Sequence, residues 1–387
     1  MALLALATLS AGAQEKEKKE PLIKLPAWVN NINFSGYGMV QYQAEGNNGK
    51  EKTDPNAKTK HNEFNLRLVR LALDGRIAND FYWKAQLQIN GNTSTLGSSP
   101  RLVDLFAEWQ KYKFARVKAG QFKRPFTFEN PMHPITQGFM SYSQNVLKLA
   151  GFSDRTGEQA SNGRDIGVQL QGDLIKDAKG RELLHYQVGV FNGEGINKKD
   201  ANSQKDVIGG LWVMPVKGMR IGAFGWVGSR AITYTETGTK TETHKVTDEN
   251  GVPHSYTETV NVTRSYTSNV RKNRYALSAD YVQNDWTFRT EYIHSQGFGS
   301  NLAKGDKADG FYALCIAPVI KNKLHAKARY DVYRDEKKWE TSKTFYEIGA
   351  DYVFTKNLQL NVEYALVNER VYHKNHSLVD VELDFKF

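Results

Sequence analysis

Residues 377–387, with the sequence SLVDVELDFKF, show the clearest structural pattern in the chain. Every second residue from Val379 to Phe387 is apolar, and the residues between them are Asp, Glu, Asp and Lys. Because successive side chains of a β-strand point to opposite faces, this alternation predicts a strand with one apolar and one charged face. The chain therefore ends in a strand that separates two very different surroundings.

The same period of two recurs upstream. Apolar rows opposite polar or charged residues are found in 80–90, 271–283, 285–297, 322–334, 343–354 and 357–368. These rows run about ten to twelve residues and carry aromatic residues near both ends, as tilted strands do when they cross a membrane between two aromatic girdles. A soluble β-sandwich also alternates, but it rarely sustains strands of this length. The pattern therefore favours a transmembrane sheet.

Sixteen candidate strands follow, and their connections alternate in length. The strands are 32–43, 62–76, 80–90, 101–110, 113–122, 163–173, 183–192, 206–215, 218–229, 271–283, 285–297, 308–318, 322–334, 343–354, 357–368 and 376–387. Short turns alternate with long loops, chiefly 44–61, 123–162 and 230–270. An up-and-down barrel with short periplasmic turns and long outer loops produces this alternation, whereas a Greek-key sandwich does not. We predict an all-β, antiparallel transmembrane barrel over residues 31–387, with both termini on the periplasmic side.

Two regions depart from simple alternation. In residues 65–74 (NLRLVRLALD) the apolar phase changes near Val69, which predicts a β-bulge. The strands around Gly209-Gly210 and residues 222–228 are apolar on both faces. Either a contact between subunits or a locally plugged lumen would explain the second pattern.

The N-terminus predicts export. Residues 1–13 (MALLALATLSAGA) are apolar and end in Ala-Gly-Ala, as a signal peptide does before its cleavage site. The basic region that normally precedes such a core is missing, so the peptide is truncated or Met1 is not the true start. A buried helix is the alternative, which the EKEKKE run directly after Gln14 disfavours. Residues 14–30 are predicted to be a short periplasmic segment, and no later stretch reaches the roughly 20 apolar residues of a membrane-spanning helix.

Several segments resemble the phosphate-selective porin O and P family. They are 120–126 (GQFKRPF) with Glu129 shortly after, 163–172 (GRDIGVQLQG), 186–193 (YQVGVFNG) and 33–37 (NFSGY), together with the closing strand that ends in Phe. The resemblance implies a homotrimer of sixteen-stranded barrels in the bacterial outer membrane and passive diffusion of solutes. It also implies a long third loop that folds inward and narrows the pore.

Two of the long loops carry further signals. Loop 123–162 contains many aromatic and apolar residues, which would be unusual on an exposed loop and fit a constriction loop packed inside the barrel. The alternative is a loop that covers a neighbouring subunit. Loop 230–270 is rich in Thr and alternates, which predicts an extracellular hairpin with its turn at Asp248–Gly251.

The charge of the predicted lumen favours anions. The chain has 52 Lys and Arg against 42 Asp and Glu, a net charge of +10. Cations on the faces opposite the apolar rows, or in the constriction loop, form the candidate anion-binding set. They are Lys84, Arg116, Lys118, Lys123, Arg124, Lys148, Arg155, Arg274, Arg289, Lys323, Lys327 and Arg329.

Two alternatives compete with this use of the cations. Each cation could form an ion pair across the barrel, with Asp104, Glu108, Asp165, Asp173, Glu291, Asp351, Asp380 and Glu382 as candidate partners. The excess cations could instead lie on outer loops and bind anionic lipopolysaccharide.

The predicted function is that of an outer-membrane porin for passive diffusion of small hydrophilic solutes, favouring anions such as phosphate. The resemblance implies phosphate selection by basic residues at the constriction, and this sequence offers candidates without a residue-by-residue match. The preferred solute therefore stays open. The alternatives are a weakly selective general porin and a surface receptor or adhesin whose barrel only anchors its loops.

The sequence offers little for catalysis. It contains no Ser-His-Asp motif, phosphate-binding loop or metal-spaced Cys/His cluster, and the single Cys315 cannot form an internal disulfide. A barrel-embedded lipase would need an activated Ser and His outside the barrel wall, which we cannot place. We predict no enzyme, cofactor, bound metal or nucleic-acid partner. The predicted partners are further copies of the chain, outer-membrane lipid and lipopolysaccharide, and small anionic solutes.

Overall fold

A computed structural model describes residues 29–52, 54–56, 60–90, 100–157, 162–299 and 305–387. The predicted signal peptide, 1–13, lies outside these residues, as does most of the predicted periplasmic segment 14–30, because the first strand begins at Val29. Within the described ranges, no helix is both long and apolar enough to cross a membrane.

Sixteen strands form the wall of a closed barrel, and two more form a separate hairpin. The wall strands are β1 (Val29–Glu45), β2 (His61–Ile77), β3 (Phe81–Gln88), β4 (Arg101–Tyr112), β5 (Ala115–Lys123), β6 (Arg164–Lys176), β7 (Glu182–Phe191), β8 (Asp206–Val213), β9 (Met219–Val227), β12 (Asn273–Gln283), β13 (Trp286–Gln296), β14 (Lys307–Ile320), β15 (Leu324–Arg334), β16 (Ser342–Thr355), β17 (Leu358–Glu369) and β18 (Lys374–Lys386). The hairpin strands are β10 (Ser229–Thr247) and β11 (Pro253–Arg271).

Each wall strand pairs antiparallel with its neighbours, and β18 closes the barrel against β1. At the closure the backbones of Gly36 and Phe387 exchange two hydrogen bonds of 3.0 Å. The barrel is therefore all-β, up-and-down and sixteen-stranded, which confirms the predicted fold class. A short turn such as Asn284-Asp285, with φ of 54° and 65°, suits a two-residue hairpin because both central residues must adopt positive φ.

The two faces of the wall carry opposite chemistry. Outward residues are apolar and exposed, for example Leu277 at 56% and Ile348 at 62%. Inward residues are polar or charged and are covered by other parts of the protein, as Asp380, Glu382 and Asp384 on β18 are. An outer apolar band exposed to lipid and a polar interior is the arrangement expected of a transmembrane barrel.

The sequence predicts a β-bulge in the second strand and a hairpin in residues 230–270, and the structure contains both. The pairing of β1 with β2 shifts register between Met39 and Val40, where Arg67 is left without an opposite residue. This bulge lies two residues before the predicted position at Val69. The hairpin β10–β11 pairs from Ser229 opposite Arg271 to Thr247 opposite Pro253, with its turn at 248–252.

Candidate functional site

The connection between β5 and β6 lies in the interior of the barrel over its described residues, 124–157 and 162–163. Its short helix α1 (Gln144–Leu149) lies against β13, β14 and β15. Among its apolar residues, Phe126, Phe128, Met140 and Leu149 are all at most 2% exposed. The aromatic content that looked unusual for an exposed loop is thus buried against the inner wall.

The inner faces of β8 and β9 form the apolar seat of this loop. The rings of Phe126 and Phe128 pack edge to face on Trp226 and Phe224 respectively, with centroids 5.4 Å apart in both pairs. Ile208 on β8 joins the same cluster and is fully buried. Because the loop fills the lumen here, both faces of these strands meet apolar surroundings. The plugged-lumen explanation therefore accounts for the pattern around Gly209-Gly210 and residues 222–228.

Four of the predicted lumen cations hold the loop by its backbone carbonyl groups. The donor–acceptor pairs are Arg274 to Leu149 at 2.8 Å, Arg289 to Gln137 at 2.8 Å, Lys327 to Gly138 at 3.1 Å and Arg329 to Ser141 at 2.9 Å. Hydrogen bonds from a charged donor are among the strongest in proteins. The four cations point at the loop and not at open lumen.

The same four cations also face carboxylates. The N–O distances are 2.7 Å for Arg274–Asp154, 3.9 Å for Arg289–Asp280, 2.6 Å for Lys327–Glu363 and 2.5 Å for Arg329–Glu347. Asp154 belongs to the loop itself. Burial alone would raise the pKa of its carboxyl, but Arg274 outweighs burial and holds that pKa below its usual value.

Carboxylates of the wall hold the same loop by accepting hydrogen bonds from its backbone N–H groups. Glu291 accepts from Phe128 and Glu129 at 2.7 and 3.0 Å, Glu363 from Met140 at 2.9 Å, and Asp331 from Gln144 at 2.8 Å. The loop is therefore clamped on both kinds of backbone group by side chains of β13, β15 and β17. This clamp fixes how much of the lumen the loop occupies.

Six of the other eight predicted cations divide into paired and peripheral groups, and the remaining two, Lys84 and Lys123, line a basic cavity. Ion pairs join Arg116 to Asp173 at 2.8 Å, Lys118 to Glu108 at 3.6 Å, Arg124 to Asp165 at 2.8 Å and Arg155 to Asp335 at 3.3 Å. The first three carboxylates are among the predicted partners. Lys148 is exposed on α1, and Lys323 is exposed in the turn that precedes β15.

A basic cavity of about 340 Å³ lies between the loop and the wall formed by β1 to β6. Its cationic lining residues are Arg70, Lys84, Lys118, Lys123 and Arg164. Among the described lining residues Asp104 is the single carboxylate, and it forms a two-pronged ion pair with Arg164 at 2.6 and 3.1 Å. The cavity therefore carries a net positive charge.

Arg70 forms no ion pair with a carboxylate of the described residues. Its side chain is 1% exposed, and its Nε donates to the neutral amide of Gln88 at 3.2 Å. Within the described residues its Nη2 has no hydrogen-bond partner. A buried guanidinium without a full set of acceptors has donors left for an anion.

Lys123 enters the same cavity from the end of β5. Its ammonium donates to the carbonyls of Asn130 and Met132 at 2.7 and 2.8 Å and to the Tyr142 hydroxyl at 3.0 Å. All three acceptors are neutral, so Lys123 forms no ion pair with any of them.

The loop tip adds no charge to the cavity at neutral pH. The His133 ring packs edge to face on Tyr37 with centroids 4.5 Å apart. Burial, together with the nearby charges of Lys123 and Arg70, lowers the pKa of the His133 imidazole to about 3. His133 is therefore uncharged, and the cavity's positive charge comes from the five Lys and Arg residues.

A second, acidic cavity of about 230 Å³ lies beside the first. Its lining includes Asp285, Asp351, Glu382 and Asp384, with His325 as the basic partner of Asp351 at 2.7 Å. Pro134 lines both cavities, and the adjacent Ile135 packs on Tyr37, Met39 and Leu68. The loop tip thus separates a basic from an acidic compartment.

Sequence reasoning missed Arg70 and Arg164. Arg70 follows the bulge at Arg67, and the change of phase there hid which residues of β2 face inward. Arg164 lies in the segment GRDIGVQLQG, which had been noted for its resemblance and not for its charge. Reading the phase of β2 after the bulge would have found Arg70.

The whole barrel matches one known family. Residues 34–386 match the family described as phosphate-selective porin O and P. The chain belongs to this porin family. A comparison with curated protein sequences found no match.

Solved structures show that the porin shares its fold with other outer-membrane channels. The anion-selective porin of Comamonas acidovorans is 12% identical, with a TM-score of 0.61 and coverage of 92% of this chain and 100% of that one. The DcaP channel of Acinetobacter baumannii is 11% identical, with a TM-score of 0.60 and coverage of 94% and 99%. The trimer form of OmpT of Vibrio cholerae is 11% identical, with a TM-score of 0.58 and coverage of 92% and 99%. The porin thus belongs in the bacterial outer membrane.

Proposed function

We propose that this porin passes small hydrophilic solutes passively and without chemical change, and that it favours anions. The basic cavity is its anion-attracting passage beside the constriction loop. Lysines and arginines that line a narrow aqueous pore replace part of an anion's hydration and raise its local concentration. The family and the charge of the cavity lining both support this assignment.

The observation that carries the proposal is the state of Arg70. Most of the predicted cations are tied to carboxylates or to the loop, so they attract a passing solute weakly. Arg70 instead has a buried guanidinium with a donor left over, on the wall of a cavity that holds four more cations. An anion entering the cavity would complete its hydrogen bonds.

Phosphate or another small oxyanion is the proposed solute class. A guanidinium binds two oxygens of an oxyanion at once, while an ammonium acts as a mobile point charge. Arg70 supplies the first kind of contact, and Lys84 and Lys123 supply the second. Chloride could use only the charge, so the oxyanion should bind more tightly.

The acidic cavity favours a second candidate, a weakly selective general porin. If solutes pass through this compartment as well as the basic one, its carboxylates offset the attraction for anions. The extensive pairing of wall cations points the same way. The two candidates differ in the sign and size of the ion preference.

Planar-bilayer conductance in a KCl gradient, repeated with added phosphate, separates these candidates. We expect a reversal potential that shows chloride preference, and a chloride current that phosphate blocks. Replacing Arg70→Gln should weaken the phosphate block about tenfold, because a charge-assisted hydrogen bond contributes roughly 1.5–3 kcal/mol.

Lys323→Gln is the matched control, since it removes one predicted cation that lies in an exposed turn. It should leave the block unchanged. Cation preference, or a phosphate block that R70Q does not alter, would reject the anion passage and leave the general porin. An absence of channels from folded protein would favour the receptor or adhesin.

We further propose that the porin assembles as a homotrimer surrounded by outer-membrane lipid and lipopolysaccharide. The family and the solved trimer form of Vibrio cholerae OmpT support a trimer. Light scattering of the detergent-solubilised protein, corrected for bound detergent, should give three chains per particle. A single chain per particle would contradict the trimer.

A further inference from the structure

The lipid-facing wall is not uniform, and an apolar groove lies on β14 to β17. This apolar groove has a volume of about 620 Å³. Its outward lining consists of small side chains, Ala313, Cys315 and Ala328, beside the larger Tyr330, Tyr346, Ile348, Tyr364 and Leu366. Small residues next to a row of tyrosines make a trough in a wall that is otherwise covered by large apolar side chains.

A polar pocket of about 550 Å³ lies at the extracellular rim of the same strands. Its lining includes Trp339, Glu340, Arg370, His373 and Lys374, from the loops that follow β15 and β17. Trp339 is 51% exposed, which is unusual for an indole. Trp and Tyr with one wet and one apolar side are typical of the membrane–water interface.

The pocket and the groove lie next to each other along β16 and β17. Thr344 pairs with Asn368, and the next outward pair toward the membrane centre is Tyr346 with Leu366. Asn368 lines the pocket while Leu366 lines the groove, and the two positions are one strand repeat apart, about 7 Å. A single molecule with a polar head and an apolar tail could therefore occupy both.

The cations of the pocket, Arg370 and Lys374, outnumber Glu340, the single carboxylate among its described lining residues, and favour an anionic head. Arg370 lies over the Trp339 ring at 5.2 Å and donates to the hydroxyls of Ser342 and Thr344. No carboxylate in the described ranges forms an ion pair with Arg370, in contrast to Arg334, which binds Asp309 at 2.6 Å. Lys374 reaches Glu51 only at 3.9 Å. Arg334 also lies over the Trp339 ring at 5.0 Å, and the half of the side chain that stays exposed can pack against a sugar ring.

We propose that this pocket and groove form a binding site for an outer-leaflet glycolipid with a phosphorylated sugar head, the chemistry of lipid A in lipopolysaccharide. Arg370 and Lys374 contact the phosphate, Trp339 packs on the sugar, and an acyl chain lies along Ala313 and Ala328. The site lies outside the barrel, so it is separate from the proposed anion passage.

Native mass spectrometry of the delipidated, full-length protein in detergent tests this site. The probes are deep-rough lipopolysaccharide, which keeps the phosphorylated lipid A, and phosphatidylethanolamine, which has no net charge. We expect retained lipopolysaccharide and little phosphatidylethanolamine. Arg370→Gln should weaken lipopolysaccharide binding about tenfold, as loss of a charge-assisted contact does. Ala328→Phe, which fills the trough, should weaken it to a similar extent.

Two matched controls keep the test specific. Arg271→Gln removes an exposed arginine at the same end of the barrel, and Ala279→Phe enlarges a lipid-facing alanine on β12. Both should bind lipopolysaccharide as the unchanged protein does, and all four variants should conduct normally. Lipopolysaccharide binding by R370Q or A328F that is as tight as that of the unchanged protein would overturn the proposal. So would an A328F protein that loses its oligomer but keeps its lipid, because the groove would then be a contact between subunits.

Discussion

The buried arginines of this porin include some that pair with a carboxylate and some that do not. Arg124 is fully buried and pairs with the equally buried Asp165 at 2.8 Å. Arg70 is also buried, yet its Nε donates to the neutral amide of Gln88. A paired buried charge stabilises its surroundings only as long as both partners remain, whereas an unpaired one costs stability and is retained for another reason.

Replacing each arginine by methionine should therefore have opposite effects on the free energy of unfolding. R124M leaves the Asp165 carboxylate without its partner, and we expect a loss of roughly 3–5 kcal/mol. R70M removes a poorly satisfied charge, and we expect no loss. Urea titrations of the two variants in detergent micelles measure both values. A comparable loss in R70M would show that Arg70 has a counter-ion and would weaken its assignment to solute binding.

For single residues, the sequence predicted which charged side chains face the lumen better than it predicted which partners they contact. It identified Glu108, Asp165 and Asp173 as partners because all three lie on inward faces, and the structure pairs each with a predicted cation. It could not predict that Arg289 and Lys327 would serve the loop. Those contacts join residues 152 and 189 positions apart, and nothing in either local pattern indicates them.

Among the elements, the constriction loop has the least regular backbone and the most side-chain support. Its carbonyls are held by wall cations and its N–H groups by wall carboxylates, as with Glu291 and the backbone of Phe128 and Glu129. A long loop normally has many accessible conformations, so fixing one requires such contacts along its whole length. The inward fold followed from loop length and aromatic content, but the clamp required the three-dimensional structure.

Removing one of the wall carboxylates that hold the loop should enlarge the pore. In Glu291→Ala two buried N–H groups lose their acceptor, which costs roughly 1–3 kcal/mol for each group left unpaired. We expect a larger and noisier single-channel conductance in planar bilayers, because the loop then samples positions away from the wall. Glu291→Gln keeps one carbonyl oxygen in place and should behave more like the unchanged porin. If E291A conducts as steadily as E291Q, the loop is held mainly by its aromatic seat on β8 and β9.

For the whole molecule, the apolar and charged faces seen in residues 377–387 recur around the barrel, except at β8 and β9, where the inner face is apolar as well. The wall strands separate lipid from lumen, so strand number and topology could be predicted from alternation and loop lengths together with the resemblance to the porin family. The hairpin β10–β11 is the exception, since its strands alternate without separating two environments. Both its faces are largely exposed, and its strands pair only with each other.

The barrel should therefore close without the hairpin. Strands β9 and β12 pair directly from Met219 opposite Tyr281 to Trp226 opposite Arg274, and Lys272 donates its backbone N–H to Gly228 at 2.8 Å below the hairpin. The variant to test lacks residues 233–267 and joins the ends through an Asn-Gly turn, which suits a two-residue hairpin. Its conductance, and the change in gel mobility that a folded barrel shows on heating, should both be unchanged.

The same deletion distinguishes a porin function from an adhesin function. If the barrel only anchors its loops, cells that carry the shortened protein should lose attachment to glycans or phage while their solute uptake persists. If the hairpin is a solvated extension, neither property should change. Loss of conductance would be the surprising result. It would mean that β10 and β11 stabilise the oligomer through a neighbouring subunit, because within one chain the hydrogen bonds between β9 and β12 already close the wall.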